Sequence, residues 1–459
     1  MLRLKIESRI AIAVLAVLGI PAVFLVPPAV TFDGPSHYFR ALQVSEGTMR
    51  AERFSDRAVG GRLPESHVRF VNSMLWSSYW GPGHDFMGLG EWSRLSTRAA
   101  ALRGDERVEF TNTAVYSPAN YVPQALGMRM GTMISGWPLL AAWLGCLFNL
   151  AGYGALVVAA LQLAPRFERG VLLLSLCPLI VFQAASPSAD AVNFALPLLF
   201  IAWAWRLRHG EVERPGAELA GLFAAGIGVA LLKPVLLPVV ACAALLPDRC
   251  FGGRRAARLA ATALLFAGAL AAWYGWNRGN AGIDVAGWFD ASRPPPSGQV
   301  LALEAGPLGF LSAFGHWLVR DMAPQWPDLY AYVGGWAGAA TFRLNSALSL
   351  VLLVGLLACE ARGGPRDGRW AGLLALVAAA VIGATALSLW IYFGTPGVPT
   401  IPGFAGRYLY LPAAALAIAA SELTRGGAPR VRTALFWAAL AAEIAGTAAI
   451  LVPVAARSL

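Results

Sequence analysis

The sequence predicts an all-α polytopic membrane protein, one integral domain over 1–459 that crosses a bilayer about eleven times in spans of roughly 20 residues. Three observations predict it. Hydrophobic residues make up 57% of the chain and charged ones 14%, where a soluble domain carries about 25%. Apolar stretches approaching bilayer length recur too often for one soluble core to absorb them. The arginines fall mostly in short loops between those stretches, as basic residues do on the cytoplasmic side of a membrane. The net charge of +10 therefore follows topology, and nucleic acid is not an expected partner.

Arg3, Lys5 and Arg9 precede the run from Ile10 to Val30, whose length and Pro21 fit a retained signal anchor with a cytoplasmic N-terminus. A first extracytoplasmic loop region, 31–118, follows, and its length calls for internal structure. Pro35 can open a helix over Ser36–Glu46 in which Arg40 lies one turn after His37. Val115–Arg129, with two prolines and two tyrosines, reads as an interfacial bend. Gly131–Ala164 is a long span or a broken pair. Val171–Ala185 and Ala191–Trp205 follow, then two short spans, Leu219–Leu232 and Val235–Leu246, around an outer turn at Lys233–Pro234. Leu259–Trp276 leads to a second extracytoplasmic loop region, 277–341. It contains Pro294–Pro296 and an apolar stretch, Leu301–Leu318, which Glu304, Pro307 and His316 interrupt as a re-entrant or interfacial segment. Phe342–Ala358, Trp370–Phe393, Tyr408–Ala420 and Thr433–Pro453 complete the spans and place the C-terminus outside.

The polar residues at the outer ends of these spans carry the expected chemistry. Asp33 follows the first span and can accept a proton from a hydroxyl or coordinate a divalent ion; the alternative is a helix cap. Asp190, beside Pro187 and Ser188, is a second such carboxylate or a cap. Lys233 and Arg407 suit a phosphate at the lipid boundary; head-group snorkelling is the alternative for Arg407. His37 can assist Asp33, and Arg40 can pair with Asp33 or Glu46. Tyr116, Asn120, Tyr121, Gln124 and Tyr408 offer hydroxyls and amides to a sugar, or form an interfacial belt, as do Trp326, Tyr330, Tyr332 and Trp336. The five cysteines form no CxxC pair, and His67, His84 and His316 have no zinc spacing. Neither a phosphate-binding P-loop nor a dinucleotide fingerprint is present.

Four stretches, DGPSHYFRALQVSEG from Asp33, YSPANYVPQALG from Tyr116, SPSADAVNF from Ser186 and GRYLYLP from Gly406, resemble the DUF2142 family of bacterial predicted membrane proteins over nearly the whole chain. The family's opening pattern looks like D-E-x-x-H-F-x-R-A. Asp33, His37 and Arg40 match it, Tyr38 replaces the aromatic, and Gly34 stands where an acidic residue is common. Such proteins look like GT-C glycosyltransferases, which have many spans, a long first outer loop with an essential acidic residue near its start, and polyprenyl-linked sugar donors. The resemblance implies a bacterial inner-membrane enzyme moving a sugar from a polyprenyl-phosphate donor to an extracytoplasmic glycan or lipid-linked acceptor. Asp33 would be its base or metal-associated carboxylate, with His37 and Asp190 beside it. Arg40, Tyr116, Asn120, Gln124, Lys233, Arg407 and Tyr408 would bind substrate. A divalent cation is compatible and no cofactor is specified. The alternatives are a transporter or flippase for lipid-linked glycans and a non-catalytic envelope assembly protein.

Overall fold

The computed structural model describes residues 4–29, 31, 33–75, 88–163, 166–210, 214–290, 292, 297–322, 339–359, 366–394, 398–424 and 428–458. Among them, six helices are long and apolar enough to cross a membrane: Ile6–Leu25, Pro138–Leu163, Asp190–His209, Arg255–Asn280, Gly368–Phe393 and Pro429–Ala456. Three shorter apolar helices, Pro215–Leu231, Pro234–Leu245 and Leu344–Ala358, pack among them. The protein is a multi-span helical membrane protein with large polar loop regions. The expected aromatic belt at Trp326, Tyr330, Tyr332 and Trp336, the Pro294–Pro296 stretch and His84 lie outside the described residues.

The first polar region is a small folded module. Helix α1 (Ile6–Leu25) delivers the chain to α2 (Gly34–Ser45), which Pro35 opens. A three-stranded antiparallel sheet follows, built of β1 (Glu52–Arg53), β2 (Val59–Pro64) and, after two helices, β3 (Asp105–Glu109). Its register pairs Gly60 with Glu109 and Leu63 with Glu106. These strands were not expected from a region read only as ordered loop. The sheet buries Val59 and Leu63 against Tyr38, Phe39, Leu42, Phe70 and Phe110, a second apolar core beside the membrane bundle. The module docks on the second polar region through Trp276 Nε1 and Asn280 Nδ2, each donating to the Val115 carbonyl at 2.8 Å, and through Arg57 paired with Asp284 at 3.0 Å.

Between the regions, α3 (Val122–Ile134) turns back at 135–137 onto α4 (Pro138–Leu163), so the run from Gly131 holds the last turn of α3 and then one unbroken long helix rather than a broken pair of spans. Next, α5 (Glu168–Leu176) and α6 (Pro178–Ala184) form a helix broken at Cys177, whose extended ψ of 144° precedes Pro178. Then come α7 (Asp190–His209) and α8 (Pro215–Leu231). From Pro234 to Leu245 the chain is a 12-residue 3-10 helix carrying Pro234 and Pro238; runs beyond 3–4 residues of this geometry are uncommon. The bundle closes with α9 (Arg255–Asn277), α10 (Ser297–His316), kinked at Gly306 before Pro307, α11 (Ala339–Cys359), α12 (Gly368–Phe393), α13 (Tyr410–Leu423) and α14 (Pro429–Ser458).

The helix ends gather at two levels. At one end lie the pairs Lys5–Glu168 (3.5 Å), Arg169–Glu7 (3.5 Å), Arg166–Glu422 (3.2 Å), Arg206–Glu218 (3.2 Å) and Arg258–Asp248 (2.6 Å). Asp367 joins Arg208 and His209 there and caps α12 by accepting from the Trp370 amide. At the other end sit the polar module and a smaller set of charges.

Candidate functional site

Asp33 is the only described residue other than glycine with positive φ (54°, ψ 20°). The left-handed conformation costs an L-residue about 1–2 kcal/mol, and such strain persists where surrounding structure enforces it. Asp33 occupies the N-cap position of α2, yet its side chain makes no capping bond. Instead Oδ1 accepts from Asn112 Nδ2 at 3.3 Å and Oδ2 from an Arg407 guanidinium nitrogen at 3.0 Å. The cap reading therefore does not hold for the carboxylate. The neighbouring Gly34 also finds its reason here, since a Cβ there would lie 2.4 Å from the Ala29 carbonyl oxygen. This chain has no room for a second acidic side chain beside Asp33.

Asp190 opens α7. Its backbone amide donates to Ser188 Oγ at 3.1 Å, leaving the carboxylate to two cations: Lys233 Nζ at 2.6 Å and Arg407 Nε at 3.4 Å. Lys233, in the turn between α8 and the 3-10 helix, lies over the rings of Tyr116 (5.2 Å) and Tyr408 (5.4 Å). Arg407 also donates to the Tyr408 hydroxyl at 3.2 Å. Residues 33, 190, 233 and 407, from four separate parts of the sequence, thus form a chain in which two carboxylates balance two cations. Burying such charges is tolerable only when they are paired and hydrogen-bonded.

Asp33, Asn112, Tyr116, Lys233, Asp284 and Tyr408 line the polar part of a cavity of about 640 Å³. The rest of its lining mixes apolar side chains, Leu232, Val235, Phe289, Leu389 and Phe393 among them, with the polar Thr113, Asn277, Asn280, Thr385 and Ser388. Burial pushes the Tyr116 phenol up to about 12, against the opposing pull of Lys233.

Other expected site residues stand behind this wall. His37 is buried, with Nδ1 2.8 Å from the Tyr121 hydroxyl. Burial lowers its pKa to about 4 even though Asp190 and Asp33 act to raise it, so it is neutral at neutral pH. Arg40 is fully buried and turned away from Asp33 and Glu46. It donates to Gln43 Oε1 and to the carbonyls of Met49 (2.7 Å) and Tyr116 (3.0 Å), fixing the loop that presents the Tyr116 ring. Glu46 pairs with Arg129. Asn120 and Gln124 are also fully buried. Asn120 Nδ2 donates to the Ser117 carbonyl at 3.0 Å, and Gln124 Nε2 to the Ser188 carbonyl at 2.9 Å, clamping the turn that carries Asp190. None of these four lines the cavity. His67 shares a 2.7 Å hydrogen bond with the Tyr38 hydroxyl. Among the described residues no group of three or more His, Cys, Asp or Glu is placed to hold a metal ion.

Asn112 and Asp284 enter the cavity without having been singled out in the sequence. Asn112 sits on a four-residue helix in a loop, where an amide is unremarkable by composition. Asp284 caps a short helix, accepting from the Gly287 amide at 3.0 Å, and its sequence context gives no further signal.

A family model described as "Predicted membrane protein (DUF2142)" matches residues 16–417. No curated protein and no solved structure matches the chain.

Proposed function

We propose, for a chain that belongs to the DUF2142 family of predicted membrane proteins, that it is a GT-C-like glycosyltransferase moving a sugar from a polyprenyl-phosphate donor to an extracytoplasmic glycan or lipid-linked acceptor. One observation carries the reading: Asp33, Lys233 and the tyrosines Tyr116 and Tyr408 line the same cavity as the apolar Leu232, Val235, Phe289 and Leu389. A ligand with a phosphorylated sugar head and a hydrocarbon tail matches that combination of charged, aromatic and apolar groups.

The four-charge chain suggests how donor and base are coupled. Arg407 lies between Asp33 and Asp190, paired with both. A lipid-linked phosphate entering beside Lys233 competes for the guanidinium and draws it from Asp33. The Asp33 carboxylate then accepts the proton of the acceptor hydroxyl as the acceptor oxygen bonds to the anomeric carbon. The bond from that carbon to the phosphate oxygen breaks with its electron pair, and the lipid phosphate leaves paired to Arg407 and Lys233. Attack opposite the leaving phosphate inverts the anomeric centre. His37, Arg40, Asn120 and Gln124 are positioning residues in this scheme.

The same reading places the arginine-rich end in the cytoplasm and the cavity outside, following the charge rule. Eleven crossings follow if the shorter and broken apolar helices also traverse the bilayer. Reconstituted protein supplied with radiolabelled polyprenyl-phosphate sugars and envelope glycan acceptors tests the proposal. Asp33→Asn should abolish transfer while donor binding persists. Undiminished transfer by Asp33→Asn sinks the base role, and vectorial movement of donor without transfer favours the flippase.

A further inference from the structure

We propose that Glu443 is a proton-binding site within the membrane-spanning layer, carrying a neutral carboxylic acid between α14 and the break that separates α5 from α6. This does not rest on the transfer reading.

Glu443 lies midway along α14, and 2% of it is exposed. Its carboxyl meets the hydroxyl of Ser349 on α11, while Oε2 is buried with no hydrogen-bond partner. No ion pair reaches it among the described residues. The groups facing this stretch of α14 can be taken helix by helix. From α11 come Asn345, whose Nδ2 donates to the Ala442 carbonyl at 3.4 Å, and the buried hydroxyls of Ser346 and Ser349. From the break come Cys177 and Pro178, the latter so near that a Cβ on Gly446 would lie 3.2 Å from its Cγ. From α13 comes Tyr410, beside Cys177. From α1 the stretches Leu15–Gly19 and Ile20–Leu25 are wholly apolar. The first cation along the interface is Arg169, which lies over the Phe436 ring, two turns away, and pairs with Glu7.

An ionised carboxylate in that setting would have the Ser349 hydroxyl as its bonded partner and meet no positive charge among the described residues. Desolvation of such an ion costs several kcal/mol, and a bound proton removes the cost. A carboxylic acid can also donate to an oxygen, which a carboxylate cannot. The helix break at Cys177 faces the same stretch of α14. Irregular backbone at membrane depth is found where it is buried in protein or lines a polar cavity. A broken helix facing an acidic side chain is a recurring arrangement at sites that bind protons or small cations. Here two of the carbonyls at the break are already used, Ser175 O by the Tyr153 hydroxyl (2.7 Å) and Leu174 O by Cys177 Sγ (3.1 Å). That leaves a proton, rather than a metal ion requiring several oxygens, as the fitting ligand.

The full-length protein in lipid vesicles, treated with the hydrophobic reagent dicyclohexylcarbodiimide over a range of pH, tests this by peptide mass mapping. Glu443 should be modified at acid pH, with labelling falling about tenfold per pH unit above its midpoint; Glu443→Gln should carry no label in that peptide. Because Gln mimics the neutral acid, Glu443→Gln should fold and melt like the parent chain. Absence of label on Glu443 in folded protein at acid pH overturns the proposal. Suppression of labelling by sodium at constant pH overturns it in favour of a sodium site. Loss of folding in Glu443→Gln also overturns it, by showing that an ionised, paired carboxylate is needed.

Discussion

At Asp33, backbone and side chain make opposite demands. The backbone is in a conformation suited to glycine, whereas the side chain holds Asn112 and Arg407. Asp33→Gly should therefore leave the thermal midpoint unchanged or raise stability by about 1 kcal/mol, while transfer falls at least as far as in Asp33→Asn. Calorimetry beside the transfer assay reads both; a clear loss of stability would show that the carboxylate is architectural. Asp190 is the reverse case. It is deeper and faces both cations, so Asp190→Asn leaves Lys233 with no counter-charge and should destabilise by about 3 kcal/mol. Asp190→Asn with Lys233→Met should regain part of that loss in thermal melts without restoring transfer. The four charges were legible because a charged residue at the end of an apolar run stands out in sequence. Their mutual neutralisation was not, because the partners lie up to 374 positions apart.

The polar module carries its own pH dependence. His37 and His67 both have pKa values lowered from 6.5 to about 4 by burial. The unfolded chain binds protons at these positions more readily than the folded one. Their stability contribution is complete above about pH 6.5 and is lost as pH falls towards 4, by as much as on the order of 3 kcal/mol per histidine. Hydrogen exchange over residues 34–121 should show the module opening across that window, and His67→Phe should narrow the acid-sensitive loss; a flat profile would contradict the buried-neutral assignment. The α2 helix was readable from Pro35 and from the one-turn spacing of His37 and Arg40. The sheet was not, because β3, with sequence DERVE, is half-exposed to exposed along its length and pairs with β2 some 40 residues earlier. For Arg40, Asn120 and Gln124 the residue type suggested ligand contacts. Direction decides the matter, and tertiary packing turns all three towards carbonyl oxygens.

For the whole molecule, the two ends differ in kind: paired arginines at one, a folded module over a cavity at the other. Cys146, Cys177, Cys242 and Cys250 are buried, so replacing Cys359 with serine gives a quiet background for labelling. With the proposed orientation, cysteines introduced at exposed Ser55 and Ser292 should react with an impermeant maleimide in intact spheroplasts. Those at exposed Arg254 and Arg430 should react only after permeabilisation. The opposite pattern would place the cavity in the cytoplasm. The 3-10 helix linking these ends bears on the site in another way. Twelve residues reach about 24 Å in this pitch but about 18 Å as α-helix. Lys233 is at the tip of that extended segment, so the grip on Asp190 depends on how far the segment is stretched. Lipids with progressively shorter acyl chains favour compressing it and should retract the ammonium from its carboxylate, making the protein a reader of bilayer thickness.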